Sequence, residues 1–119
     1  MSMNLTKAEI DELLQKYSYL VNYESDDPSA PIDPLTYVDS NGDYLLHIAA
    51  QRGDLRTVEL LIMAGLDVNQ IGDMGCTALH YAKMNKYDDI ADFLLSHGAS
   101  GSIRNDFGQL PGQSEDKPI

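Results

Sequence analysis

The chain has 119 residues, 43% hydrophobic and 23% charged, which suits one globular domain with a modest core. Nineteen Asp and Glu against eight Lys and Arg leave a net charge of −11. A field of that sign repels nucleic-acid phosphates and anionic lipid and attracts basic protein surfaces. No apolar run reaches the roughly 18 residues of a membrane span, and "MSMNLTKAEIDELL" lacks the basic head and apolar stretch of a secretory signal. Cys76 is the single cysteine, so an internal disulfide is excluded and a reducing, cytoplasmic setting is expected.

Residues 4–21 read as a helix, because Ile10, Leu13, Leu14, Tyr17, Leu20 and Val21 fall on one face at helical spacing. Thr6 and Glu9 form a capping box at its start, with Leu5 and Ile10 at the staple positions. From Glu24 to Pro34 the chain runs "ESDDPSAPIDP"; three prolines within seven residues leave only a loop. Seven acidic against two basic side chains give the first 38 residues a net charge of −5. Turn chemistry follows in "DSNGD", with Asn41-Gly42 suited to positive φ. A short helix over "YLLHIAAQR" then faces inward through Leu45, Leu46, Ile48 and Ala49. Gly53 interrupts, and "LRTVELLIMA" makes a second helix facing inward through Leu55, Val58, Leu61 and Ile62, closed by Gly65. "LDVNQ" extends out to the next turn, "GDMG".

This unit is then said again. Gly42, Leu46, His47, Ala49, Leu61 and Gly65 recur 33 positions later as Gly75, Leu79, His80, Ala82, Leu94 and Gly98. In the second copy Thr77 caps the first helix, "TALHYAKMN". The second helix, "DDIADFLLSH", turns Ile90, Phe93 and Leu94 inward. A third turn, "NDFG", arrives on schedule, after which "QLPGQSEDKPI" cannot supply another helix pair.

The run Gly-x-Thr-x-Leu-His-x-Ala from Gly75 to Ala82, then Leu94-Leu95 and His97-Gly98-Ala99 at a 33-residue period, resembles the ankyrin repeat family. The resemblance implies an all-α solenoid of helix pairs with β-turn fingers at right angles. It divides the chain into an N-terminal capping helix at 1–23, a Pro-rich loop at 24–38, two repeats at 39–103, and a partial third hairpin with its tail at 104–119. Each helix pair has an apolar face it cannot bury alone, so stacking supplies the core. The capping helix covers the open side of the first repeat. The pattern is broken where Tyr44-Leu45 replaces Thr-Pro, where Ser100-Gly101-Ser102 replaces Asp67-Val68-Asn69, and where Lys86 takes the place of Gly53. A left-handed lysine costs about 1 kcal/mol, so that loop is either strained or built differently.

No phosphate-binding glycine loop and no C-x-x-C or H-E-x-x-H spacing is present, so neither a cofactor nor a metal is expected. The family likeness makes His47 and His80 local hydrogen-bonding residues that link adjacent turns. His97, at a helix C-terminus, suits the dipole there. Cys76 with His80 lacks the third group and oxyanion site of a nucleophile pair; the chain is read as non-catalytic. In the family's architecture partners bind the concave surface of fingers and first helices. Carried over by position, and favoured because these positions differ between copies, the candidates are Ser40, Asn41, Asp43, Gln51 and Arg52, then Asp73, Met74, Cys76, Met84 and Asn85, and then Asp106, Phe107 and Gln109. Met74 and Phe107 are apolar residues at turn tips that the fold does not require, although Phe107 could instead fold back over the last repeat. The expected function is a monomeric protein-binding module for a partner with a basic surface. Two alternatives stand beside it. One is a small acidic bacterial immunity or inhibitor protein neutralising a toxin, such as a nuclease; the other is a structural assembly subunit.

Overall fold

The computed structural model describes residues 5–23, 25–27 and 30–113. Among them are five α-helices: α1 (Lys7–Lys16), α2 (Leu45–Arg52), α3 (Leu55–Met63), α4 (Ala78–Met84) and α5 (Asp88–Ser96). No described residue lies in a regular strand; a single antiparallel bridge between Val38 and Tyr44 closes the first finger.

α1 starts where the capping box places it. The Thr6 amide donates to the Glu9 carboxylate at 2.9 Å and the Glu9 amide to the Thr6 hydroxyl at 3.1 Å. It ends earlier than the apolar spacing predicts. Tyr17 leaves helical geometry at φ −110°, ψ 29°, and Leu20 closes a tight turn onto the Tyr17 carbonyl at 3.1 Å. Tyr19 and Leu20 are thereby turned out of the helix face toward the fingers, and Val21 is exposed. Residue 4, the first of the expected helix, and residues 1–3 of the expected capping segment lie outside the described residues.

The other four helices form two layers. α2 packs on α4 in the inner row, α3 on α5 in the outer row, and each repeat pairs its own inner and outer helix. Equivalent leucines fill the space between repeats: Leu46, Leu61, Leu79 and Leu94 are all buried, joined by Leu45, Val58, Ile90 and the small Ala49, Ala50 and Ala82. Each fully buried Leu, Ile or Val contributes about 1.5–3 kcal/mol, and the alanines let the inner helices approach closely.

The loop between helices is the same in both repeats despite the change from Gly53 to Lys86. The Asp54 amide reaches the Ala49 carbonyl at 2.9 Å and the Tyr87 amide reaches the Ala82 carbonyl at 2.9 Å. Gly53 sits at φ +74° and Lys86 at φ +61°. The second loop is therefore strained rather than rebuilt.

α1 attaches to the start of α3 through Asp54, which also caps that helix. One Asp54 oxygen accepts from the Thr57 amide at 3.2 Å and from Lys16 Nζ at 3.2 Å. The other accepts from the Thr57 hydroxyl at 2.6 Å and the Tyr17 hydroxyl at 2.8 Å. Burial works to raise the Asp54 carboxyl, but these bonds outweigh it and hold it below its ordinary range. Burial, then Asp54, push the Tyr17 hydroxyl above its ordinary range. With Leu13 and Tyr17 buried, α1 lies over the first repeat as a cap.

Candidate functional site

Three fingers project from the stack, and two are built alike. Asp39 closes the first with its amide on the Asp43 carbonyl at 2.8 Å, while its carboxylate accepts the Asn41 and Asp43 amides, both at 2.9 Å. Asn105, 66 positions on, does the same in the third: its amide meets the Gln109 carbonyl at 2.9 Å, and its side-chain oxygen accepts from Phe107 and Gln109 at 2.9 and 3.0 Å.

The middle finger has Gly72 at the equivalent place and no side chain to organise it. Asp43 reaches in from the first finger instead. Its Oδ1 accepts the Asp73 amide at 2.9 Å and the Tyr81 hydroxyl at 3.0 Å, and its Oδ2 accepts from Gln51 at 3.2 Å. The glycine makes the reach possible, since a Cβ at position 72 would lie 2.5 Å from that Oδ1 and 2.8 Å from the His47 ring. The finger then turns through a short 3₁₀ segment, Asp73–Gly75, with Met74 at φ +57°.

The two Leu-His histidines hold successive fingers in step. His47 Nδ1 accepts the Tyr44 amide at 2.9 Å, which leaves Nε2–H to donate to the Gln70 carbonyl at 2.8 Å. His80 repeats this with the Thr77 amide at 3.0 Å and the Gln109 carbonyl at 3.0 Å. Thr77 adds the helix cap that Tyr44 does not provide. Burial lowers the pKa of His47, against opposing contributions from the Gln70 carbonyl and from Asp43, whose Oδ1 lies 4.0 Å from Nδ1. Both nitrogens of each ring are committed to local partners and are not arranged to bind a metal. The same commitment removes His80 as a base for Cys76. The Cys76 thiol is buried and pushed up by that burial, with Asn105 Nδ2 3.7 Å from its sulfur. That combination is opposite to an activated nucleophile. His97 sits at the end of α5 with Nδ1 2.9 Å from the Phe93 carbonyl.

Fingers and inner helices enclose a groove of about 750 Å³. Asn41, Asp43, Gln51, Arg52, Asp73, Met74, Cys76, Met84, Phe107 and Gln109 line it. Ser40, Asn85 and Asp106 do not; all three are exposed, Ser40 and Asp106 on the fingers and Asn85 at the end of α4. Exposure divides the candidates. Asp43 and Cys76 are buried, 5% and 4% exposed, so their side chains serve the stack rather than an open surface. Gln109 is half-buried and occupied with Asn105 and His80. Met74, Met84 and Phe107 stand out at 54%, 62% and 65% exposed, and Phe107 does not fold back as a cap.

Six lining residues were not among the sequence candidates: Tyr19, Leu20, Asp39, Ile48, Tyr81 and Asn105. Ile48 and Tyr81 are equivalent positions one period apart that differ in type, which is the criterion used for the others. Tyr19 and Leu20 carry no such signal, because they arrive through the turn that ends α1. That turn is held by Arg52, whose guanidinium hydrogen-bonds the Tyr19 hydroxyl and lies 5.2 Å from the Tyr19 ring centre and 5.5 Å from that of Tyr17.

Known proteins share this pattern. The family model described as ankyrin repeats, three copies, matches residues 9–105, taking in most of α1 as well as the two periodic repeats. The human protein phosphatase 1 regulatory subunit 27 is 40% identical over 77 residues, covering 65% of this chain and 50% of that protein. The probable 26S proteasome regulatory subunit p28 of Saccharomyces cerevisiae is 38% identical over 77 residues, 63% of this chain and 34% of that protein. Human ankyrin repeat domain-containing protein 40 is 36% identical over 69 residues, 57% of this chain and 19% of that protein. The chain thus spans half the length of the first of these relatives and less of the others. With the helix pairs, the fingers and the paired histidines in place, the chain belongs to the ankyrin repeat family.

Proposed function

We propose that the chain is a non-catalytic protein-binding module that holds a partner with a basic surface along the concave groove. The carrying observation is the groove itself: three exposed apolar side chains, Met74, Met84 and Phe107, stand in it among the acidic side chains of the fingers. Apolar anchors ringed by polar groups are the usual centre of a protein interface, and the surrounding acidity selects a cationic partner. Two relatives are named as regulatory subunits, one of a phosphatase and one of the proteasome, which supports a binding role without specifying a partner here. Among the described residues no helix is long and apolar enough to cross a membrane. A cytoplasmic monomer suits a chain whose one cysteine is free and buried.

The test is affinity capture from the source cells at low salt, followed by binding of the purified partner across a salt series. One stoichiometric partner that loses affinity steeply with salt, and loses it again on Phe107→Ser, supports the proposal. A partner insensitive to both refutes it. The inhibitor reading rests on small size and acidity, and the partner's own activity in the complex decides it.

A further inference from the structure

We infer that recognition is concentrated in the second and third fingers, which together grip a cationic–apolar segment of the partner, one or two apolar side chains flanked by Lys or Arg. This rests on the reading of the groove as the partner's docking site and names the chemistry that the site takes.

The two tips carry the same three-residue pattern, Asp73-Met74-Gly75 and Asp106-Phe107-Gly108, where the first finger carries Ser40-Asn41-Gly42. They are joined, since the Asp106 amide donates to the Met74 carbonyl at 2.9 Å. Met74 and Phe107 therefore stand on adjacent, hydrogen-bonded tips and line the same groove. The acids beside them are uncommitted. No described residue donates a hydrogen bond or forms an ion pair with the carboxylate of Asp73 or Asp106, whereas Asp39, Asp43 and Asp54 are all occupied in the fold. Met74 adds a second sign. Its backbone is left-handed, where a side chain is unfavourable, and the side chain is exposed, so folding gains nothing from it.

The first-finger end of the groove differs in the state of its charges. Arg52, clasped by Tyr19 and Tyr17, takes part in no ion pair among the described residues. Asp39 and Asp43 line the groove there as well, but their carboxylates are already engaged in the fold. A cationic segment therefore finds unengaged acids at the second and third fingers, beside Met74 and Phe107.

The test uses a random twelve-residue peptide library displayed on phage, selected on the whole chain and counter-selected on the Asp73→Asn, Asp106→Asn double variant. Enriched peptides are then synthesised and their affinities measured by fluorescence anisotropy. Peptides with apolar residues adjacent to Lys or Arg are expected. Their affinity should fall at least tenfold on Asp73→Asn with Asp106→Asn, and equally on Met74→Ser with Phe107→Ser, while Ser40→Ala with Asn41→Ser changes it less than twofold. All of these side chains except Asp73 are exposed, and thermal melting of each variant within a few degrees of the parent confirms that the fold is kept. Enriched peptides without basic residues, or an unchanged affinity in the Asp double variant, overturn the inference. If such peptides are still displaced by changes at Met84 and Gln51, the groove reading survives and only the two-finger grip fails. Peptides that photo-crosslink to the outer faces of α3 and α5 overturn both. No enrichment over the counter-selection sinks the grip, and the partner capture above then judges the groove independently.

Discussion

Replacing Asp43 tests whether a finger residue is part of the stack or part of the recognition surface. Asp43→Ala removes the acceptor for the Asp73 amide at 2.9 Å, the Tyr81 hydroxyl at 3.0 Å and Gln51 at 3.2 Å. Gln51 is exposed and rehydrates, so its loss is small. The other two donors lie in or beside the buried region, and hydrogen bonds to a charged acceptor are worth about 1.5–3 kcal/mol each. Water entering the vacated space returns part of this, so the low end applies and the loss is about 3 kcal/mol. Against a domain stability of about 5–15 kcal/mol that is a large fraction, and it lowers Tm by roughly 10 °C. Asp43→Asn keeps the shape and one oxygen acceptor and should lose only about 1 kcal/mol. Asp106→Ala, at an exposed tip, should stay within about 0.5 kcal/mol of the parent. Urea unfolding followed by circular dichroism reads all three, with the slope expected to stay constant. If Asp43→Ala unfolds within about 1 kcal/mol of the parent, or no more easily than Asp106→Ala, the inter-finger hub is not what holds the fingers in register.

Further outcomes are expected for stability. Because burial lowers the pKa of His47, the unfolded chain binds more protons below its ordinary value of about 6.5. Stability should therefore fall as pH drops below that point, with a slope smaller than the roughly 1.4 kcal/mol per unit of one full proton, and urea midpoints for His47→Gln should lose that slope. The Asp54 contribution, from a carboxyl held low, is present above about pH 3.9 and is lost only as pH falls further. Lys86→Gly relieves a left-handed side chain and should raise stability by about 1 kcal/mol; an unchanged or lower urea midpoint would show that Lys86 makes compensating contacts. Tyr17→Phe removes the hydroxyl bond to Asp54 and should lose about 1–1.5 kcal/mol, and a chain of residues 35–119, lacking all of α1, should aggregate. A soluble 35–119 chain that melts cooperatively would contradict the capping role.

Periodicity made most of the fold legible, because it is written in residues that pack. Leu46, Leu61, Leu79 and Leu94 are buried where a 33-residue stack puts them, and His47 and His80 link successive fingers as the family likeness implies. What departed from expectation depends on contacts between distant segments. The end of α1 is set at Tyr17 by its attachment to Asp54 and by the turn clasped by Arg52, neither of which has a local signature. Asp43 and Cys76 sit at positions that vary between copies, yet both are buried, because Gly72 leaves a gap that Asp43 fills and Asn105 closes over the thiol. Variation between copies thus marks two kinds of residue, those left exposed on the groove and those compensating a neighbour's change. Only the packed structure separates them. Met74, Met84 and Phe107 remain in the first group.

The central claim is that the concave groove is where the partner docks. Hydrogen–deuterium exchange on the chain alone and with its captured partner tests this most directly. Protection on binding concentrated in residues 39–44, 72–77 and 105–109 is the predicted result. Protection confined to the outer helices α3 and α5, with the fingers exchanging as in the free protein, would contradict it.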